Sequence, residues 1–85
     1  MIKLAKKIGE VTHYFNKIGV AILKLSSDLK VGDKIKIKGH TTDLEQTVEE
    51  IQIDHKPVNE AKKGKEIGVR VDDHVREGDE AFLDS

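Results

Sequence analysis

The sequence predicts an all-β domain of six strands, a sandwich or small barrel. Three observations lead there. Short stretches rich in Ile and Val alternate with polar residues at period two, most strictly in Lys34-Ile35-Lys36-Ile37-Lys38. Turn-forming Asn, Asp and Gly residues separate these stretches at fairly regular spacing. No segment holds an apolar stripe at i, i+3, i+4, i+7 over eleven residues, so no long amphipathic helix is expected. A barrel would remove the sheet edges that a chain of 85 residues has no helices to cover.

The first strand is expected over Ile8–Phe15, with Ile8, Glu10 and Thr12 set against Gly9, Val11 and His13. Asn16 and Gly19 tolerate positive φ and make residues 16–19 a turn. The second strand, Val20–Leu25, is nearly all apolar, which predicts burial on much of both faces. The third, Lys34–Lys38, turns its isoleucines to the core and its lysines to water. The fourth is expected over Gln46–His55. Its apolar phase slips between Val48 and Ile51, which suggests a β-bulge near Glu49 and Glu50. The fifth is Glu66–Val71 and the sixth Glu80–Leu83. Ile35, Ile37, Val48, Ile51, Val69 and Val71 should then share one core. Asn59–Gly64 could form one helical turn closed by Gly64. Lys30-Val31-Gly32-Asp33 and Arg76-Glu77-Gly78-Asp79 echo one another, each a Gly-Asp turn that launches a strand. One domain over residues 8–83 is expected, between a basic N-terminal tail (1–7) and a C-terminal tail (84–85).

Length and composition exclude several classes. A chain this short makes one domain and buries only about 60–65% of its unfolded surface. Cysteine is absent, so disulfides and thiolate metal sites are excluded. No apolar run approaches the roughly 18 residues of a membrane span, and the basic start is not followed by the apolar core of a secretory signal. A cytoplasmic, membrane-free protein is the default expectation. The net charge of −1 hides an asymmetry, because residues 1–40 are strongly basic and residues 41–85 strongly acidic. Either one face is basic enough to hold nucleic acid, or neighbouring strands neutralise each other through cross-strand pairs.

Chemical motifs are sparse. His13, His40, His55 and His74 have no ligand partner at metal-binding spacing, and Asp72-Asp73-His74 reads as a polar turn. Ser26-Ser27-Asp28 reads as a loop cluster, and Glu49-Glu50 as a pair whose side chains diverge or bond locally. There is no Gly-x-Ser-x-Gly and no phosphate-binding Gly-Lys-Ser/Thr. No catalytic, cofactor or metal site is therefore expected. Of the aromatic residues Tyr14, Phe15 and Phe82, Tyr14 beside Lys17 comes closest to a base-stacking platform with its cation. The alternative is that one of Tyr14 and Phe15 fills the core while the other covers its end.

The order "IGEVTHYFNKIGVAILKL", "LKVGDKIKIKG", "QTVEEIQIDHKPVNEAKKG", "EIGVRV", "VREGDEAF" resembles the second domain of translational GTPases such as elongation factor Tu. It resembles more closely the C-terminal barrel of collagenase-like peptidases, and also small stand-alone elongation-factor-like proteins. The resemblance covers residues 8–83 and implies a six-stranded Greek-key barrel without a nucleotide site. Gln52 and Glu66 stand where the Tu pocket for the tRNA acceptor end has an acidic residue and an asparagine. The resemblance implies a non-enzymatic protein-interaction or assembly module of translation-related machinery. The other reading is an RNA- or ribosome-binding adaptor that uses Lys34, Lys36 and Lys38 with Lys24, Lys17 and Tyr14.

Overall fold

Ten strands run antiparallel through the computed structural model, which describes residues 6–83. They are β1 (Lys6–Phe15), β2 (Val20–Leu25), β3 (Leu29–Lys30), β4 (Lys34–Lys38), β5 (Asp43–Thr47), β6 (Ile51–Ile53), β7 (Lys56–Val58), β8 (Glu60–Ala61), β9 (Glu66–Arg70) and β10 (Glu80–Leu83). Eight form one sheet in the order β5-β4-β10-β1-β2-β9-β6-β7. The other two, β3 and β8, pair separately and give Leu29 and Ala61 to the core. The expected tails lie outside the described residues at 1–5 and 84–85, while Lys6 and Lys7 already belong to β1.

The alternating pattern places the core as expected. Ile35, Ile37, Val48, Ile51 and Val69 are fully buried, and Val71 nearly so. They meet Ile8, Val11, Leu23 and Leu25 from β1 and β2 in one cluster. Each such side chain contributes about 1.5–3 kcal/mol by leaving water.

The fourth strand departs from expectation. Instead of one bulged strand over Gln46–His55, the chain makes β5, leaves the ladder at residues 48–50, and resumes as β6. The two pieces sit near opposite ends of the sheet order. Thr47 and Ile51 are four residues apart, so their strands lie within about 14 Å. The sheet must therefore roll until its two ends face each other. The slip in apolar phase marks this crossing. The bulges fall in β1 instead, with Ile8 and Thr12 as the extra residues.

The expected barrel is corrected to an open roll. Among the described residues no strand ladder joins β5 to β6 or β7. One side chain stitches the gap. Gln46 Nε2 donates to the Arg70 carbonyl at 2.8 Å, and Gln46 Oε1 accepts the Asp72 N–H at 2.8 Å.

Other expectations fail for local reasons. Asn59–Gly64 is not helical: Glu60 and Ala61 pair with β3, and Gly64 closes a turn at φ 90°. Asp54 and His55 leave the fourth strand to form a two-residue hairpin between Ile53 and Lys56, at φ 52° and 66°. Tyr14 is half-buried against the core and Phe15 is 44% exposed, so neither fills the interior.

The two Gly-Asp turns are built alike. Asp33 Oδ2 accepts the Lys30 N–H at 3.0 Å, and Asp79 Oδ2 accepts the Arg76 N–H at 2.8 Å. Gly32 donates to the Val48 carbonyl while Val48 donates to that of Asp33; Gly78 and Asp79 hold Val11 in the same way. The strands launched, β4 and β10, pair antiparallel with Lys36 opposite Phe82, so a local two-fold relates the copies.

Candidate functional site

The lysine ladder is the first candidate, and its neighbours decide its character. Lys34, Lys36 and Lys38 stand on the outer face of β4, opposite Thr47, Glu45 and Asp43 of β5. Glu45 reaches two of them, at 3.4 Å from Lys34 and 3.5 Å from Lys36. Lys38 stands between Asp43 and Glu80. A single register row crosses six strands here: Asp43, Lys38, Glu80, Glu10, Lys24, Glu66. It carries four acids and two lysines. Within it Glu10 faces Glu80, a like-charge pair, and Lys7 bridges them, 2.7 Å from Glu80 and 4.0 Å from Glu10. The hydrogen bond to Glu80 holds the Lys7 pKa above the usual lysine range. The outer face is thus a belt of mixed sign rather than a basic track.

The remaining residues expected to bind RNA do not join the ladder. Lys24 is on β2, three strand spacings from β4, or about 14 Å. Its ammonium donates to the Gly64 carbonyl at 3.3 Å. Lys17 is exposed in the β1–β2 turn. Tyr14 meets His74 edge-to-face at 4.8 Å. Asp72-Asp73-His74 is a turn in which Asp73 Oδ1 accepts the His74 N–H at 2.7 Å. Among the described residues no three metal-ligating side chains converge.

A groove on the outer face of β2, β9 and β6 is the second candidate, with a volume of about 340 Å³. Its apolar wall comes from Phe15, Ile18, Val20 and Ile22, and its polar rim from Gln52, Asp54, His55 and Glu66. Ile22, Gly68 and Gln52 lie in one register row, which makes Gly68 the floor. Phe15 and Ile18 are 44% and 60% exposed, large apolar side chains beside one another at the hairpin. Glu66 is steadied by the Thr12 hydroxyl at 3.4 Å, and Gln52 Nε2 donates to Glu50 at 3.3 Å. The groove offers apolar area edged by two carboxylates and an imidazole.

The sequence held one signal for this groove. β2 is apolar on both faces, yet Ala21, Leu23 and Leu25 alone face the core. Val20 and Ile22 are the surplus, and they wall the groove instead of lying under a second layer. The positions of Gln52 and Glu66, marked by the Tu resemblance, fall on its rim. Asp54 and His55 carried no signal, because a hairpin built on two non-glycine residues at positive φ has no sequence signature.

No family model matches the chain. In sequence it is 46% identical over 78 residues to an uncharacterized protease of Methanocaldococcus jannaschii, covering 91% of this chain and 19% of that protein. It is 38% identical over 77 residues to a collagenase of Porphyromonas gingivalis, covering 88% of this chain and 21% of that one. In structure it superposes on the C-terminal domain of a Geobacillus thermoleovorans protein assigned to the U32 peptidases, with a TM-score of 0.88 over 94% of this chain and 93% of the other, at 16% identity. The fold is that of the U32 peptidase C-terminal domain. A selenomethionine variant of that U32 domain gives a TM-score of 0.85 at 18% identity, over 91% of this chain and 98% of the other. The chain spans about a fifth of the length of its sequence relatives. Of the two resemblances read from the sequence, these matches support the peptidase-linked domain; identity with elongation factor Tu domain 2 is not shown.

Proposed function

We propose that this chain is a non-catalytic interaction module of the kind attached to U32 peptidases and collagenase-like proteins, and that it docks a protein through the groove beside the β1–β2 hairpin. The observation that carries this reading is the joint exposure of Phe15 and Ile18 at the mouth of an apolar groove. Large apolar side chains gathered on a surface mark a contact that excludes water. The relatives' full-length activity belongs to chains about five times longer than this one. The same reading treats the open roll as a variant of the six-stranded Greek-key barrel, with residues 48–50 carrying the chain across the seam. The elongation-factor resemblance adds translation-related proteins to the partners worth screening.

The lysine ladder supports the RNA-adaptor alternative less well, because Glu45 already takes Lys34 and Lys36. The two readings separate in one experiment. The immobilised protein and its Phe15→Ser/Ile18→Ser variant are incubated with nuclease-treated and untreated lysate. A protein captured after nuclease treatment and lost with the variant is expected. Capture that disappears on nuclease treatment and persists in the variant would favour the RNA adaptor.

A further inference from the structure

Three local penalties meet at one groove. The first is Gly68, in the middle of β9, where glycine weakens a strand. Nothing in the backbone demands it, because its φ is not positive. A Cβ there would lie 3.4 Å from Val20 Cγ1 and 3.7 Å from Ile22 Cδ1, close to ordinary contact. A side chain at 68 would, however, project from the outer face into the groove. Glycine inside a strand often marks a close approach by another molecule. The second penalty is the Asp54–His55 turn, where two non-glycine residues occupy the left-handed region at the rim. Asn-Gly would relax that turn, replacing the Asp54 carboxylate by a neutral amide and removing the His55 ring from the groove. The third is the exposed pair Phe15 and Ile18. Local rules broken together at one place point to a site kept for use.

We propose that this groove takes a short protein segment bearing a large apolar side chain next to a lysine or arginine. The proposal rests on the interaction-module reading and names the partner's chemistry. The volume of about 340 Å³ lies at the small end of ligand sites and suits one or two side chains rather than a cofactor. The carboxylates that line it, Asp54 and Glu66, complement a cation and repel phosphate. His55 stands beside Asp54 in the turn, where its ring can flank the incoming chain. Gly68, itself buried and ringed by Val20, Ile22 and Gln52, gives a shallow floor on which the apolar side chain packs between Ile22 and Gln52.

The test uses a displayed library of random heptapeptides panned on the intact protein. Enriched peptides are synthesised and titrated by fluorescence polarisation, with single-stranded poly(U) as a second probe. The expected enrichment is an apolar residue adjoining Lys or Arg. Gly68→Leu, which fills the floor, should weaken the selected peptide at least about tenfold, as loss of a central anchor does. Asp54→Asn/Glu66→Gln should weaken it about threefold or more and flatten its salt dependence. Should Gly68→Leu melt early, Ile18→Ser, at an exposed position, replaces it and should also weaken binding. Enrichment without the apolar–basic pair, or unchanged affinity in the folded variants, overturns the proposal. So does poly(U) binding that Gly68→Leu abolishes, which would give the groove to nucleic acid. Lysate capture that depends on Phe15 and Ile18, without this peptide preference, would leave the interaction module standing and remove only the present inference.

Discussion

The Gln46 amide lies 7% exposed between β5 and β9, two strands that share no ladder. Its two hydrogen bonds, to the Arg70 carbonyl and from the Asp72 N–H, are the direct polar link across the open seam. Gln46→Met keeps the volume and leaves both backbone groups without a partner. It should cost about 2–6 kcal/mol in a denaturant melt, since each of the two unsatisfied groups costs about 1–3. A loss under half a kcal/mol would mean that water replaces the amide. Lys7 makes a second residue-scale case. Its pKa is raised by Glu80, so its contribution is complete below the unfolded lysine value and fades as pH climbs through the folded one. The gap in melting temperature between wild type and Lys7→Met should accordingly be steady at neutral pH and close in strongly alkaline buffer. A gap that widens there would contradict the Glu80 assignment. Neither role was legible in the sequence. Gln46 reads as an ordinary strand residue, and Glu80, the nearer partner of Lys7, arrives from the other end of the chain.

At the scale of elements, β4 and β5 form a ladder in which two acids of β5 face the three lysines of β4 and offset most of their charge. Its pairs are partly exposed, so each contributes roughly 0.2–1 kcal/mol. Changing Lys34, Lys36 and Lys38 together to glutamine should lower stability by about 0.5–1.5 kcal/mol, with less effect in high salt. Unchanged stability with loss of RNA affinity would restore the adaptor reading. The β6–β7 hairpin makes the opposite prediction. Asp54→Asn with His55→Gly relaxes two residues from the left-handed region and should raise stability by about 1 kcal/mol in thermal melts. No gain would mean the turn is strained less than its φ values imply. The third strand and the two Gly-Asp turns were legible, because period two and positive-φ glycines act over four or five residues. β3, β7 and β8 are two or three residues long, too short to show a period. The fourth strand was misread because a phase slip looks the same whether the chain bulges or crosses to another part of the sheet.

The whole molecule is a sheet rolled around one core, and its order depends on distant pairings that no local pattern encodes. β10 sits between β4 and β1, and β9 between β2 and β6. The inward positions could still be listed from alternation in most strands whatever their neighbours; β1 is the exception, where the bulges at Ile8 and Thr12 shift the phase so that Ile8 and Val11 both face the core. Ile37, opposite Ala81 and Leu44, lies at the centre of this arrangement. Ile37→Ala should cost about 2–5 kcal/mol, cavity included. A cost below half a kcal/mol by chemical denaturation would reject the core phase. The groove was only half legible at this scale: its apolar surplus showed on β2, but its floor and rim come from strands brought together by the roll.

Lys6 at the start of β1 stands directly opposite Leu83 at the end of β10. The described chain therefore enters and leaves at one point, a single strand spacing of about 5 Å across. A module with such a doorway behaves like a bead on a thread. It can be spliced into a surface loop of an unrelated host through two short linkers, because closing a short gap adds little entropy to either fold. Each partner would keep its own cooperative transition, and the groove, which lies on β2, β9 and β6 away from the doorway, would stay open to solvent.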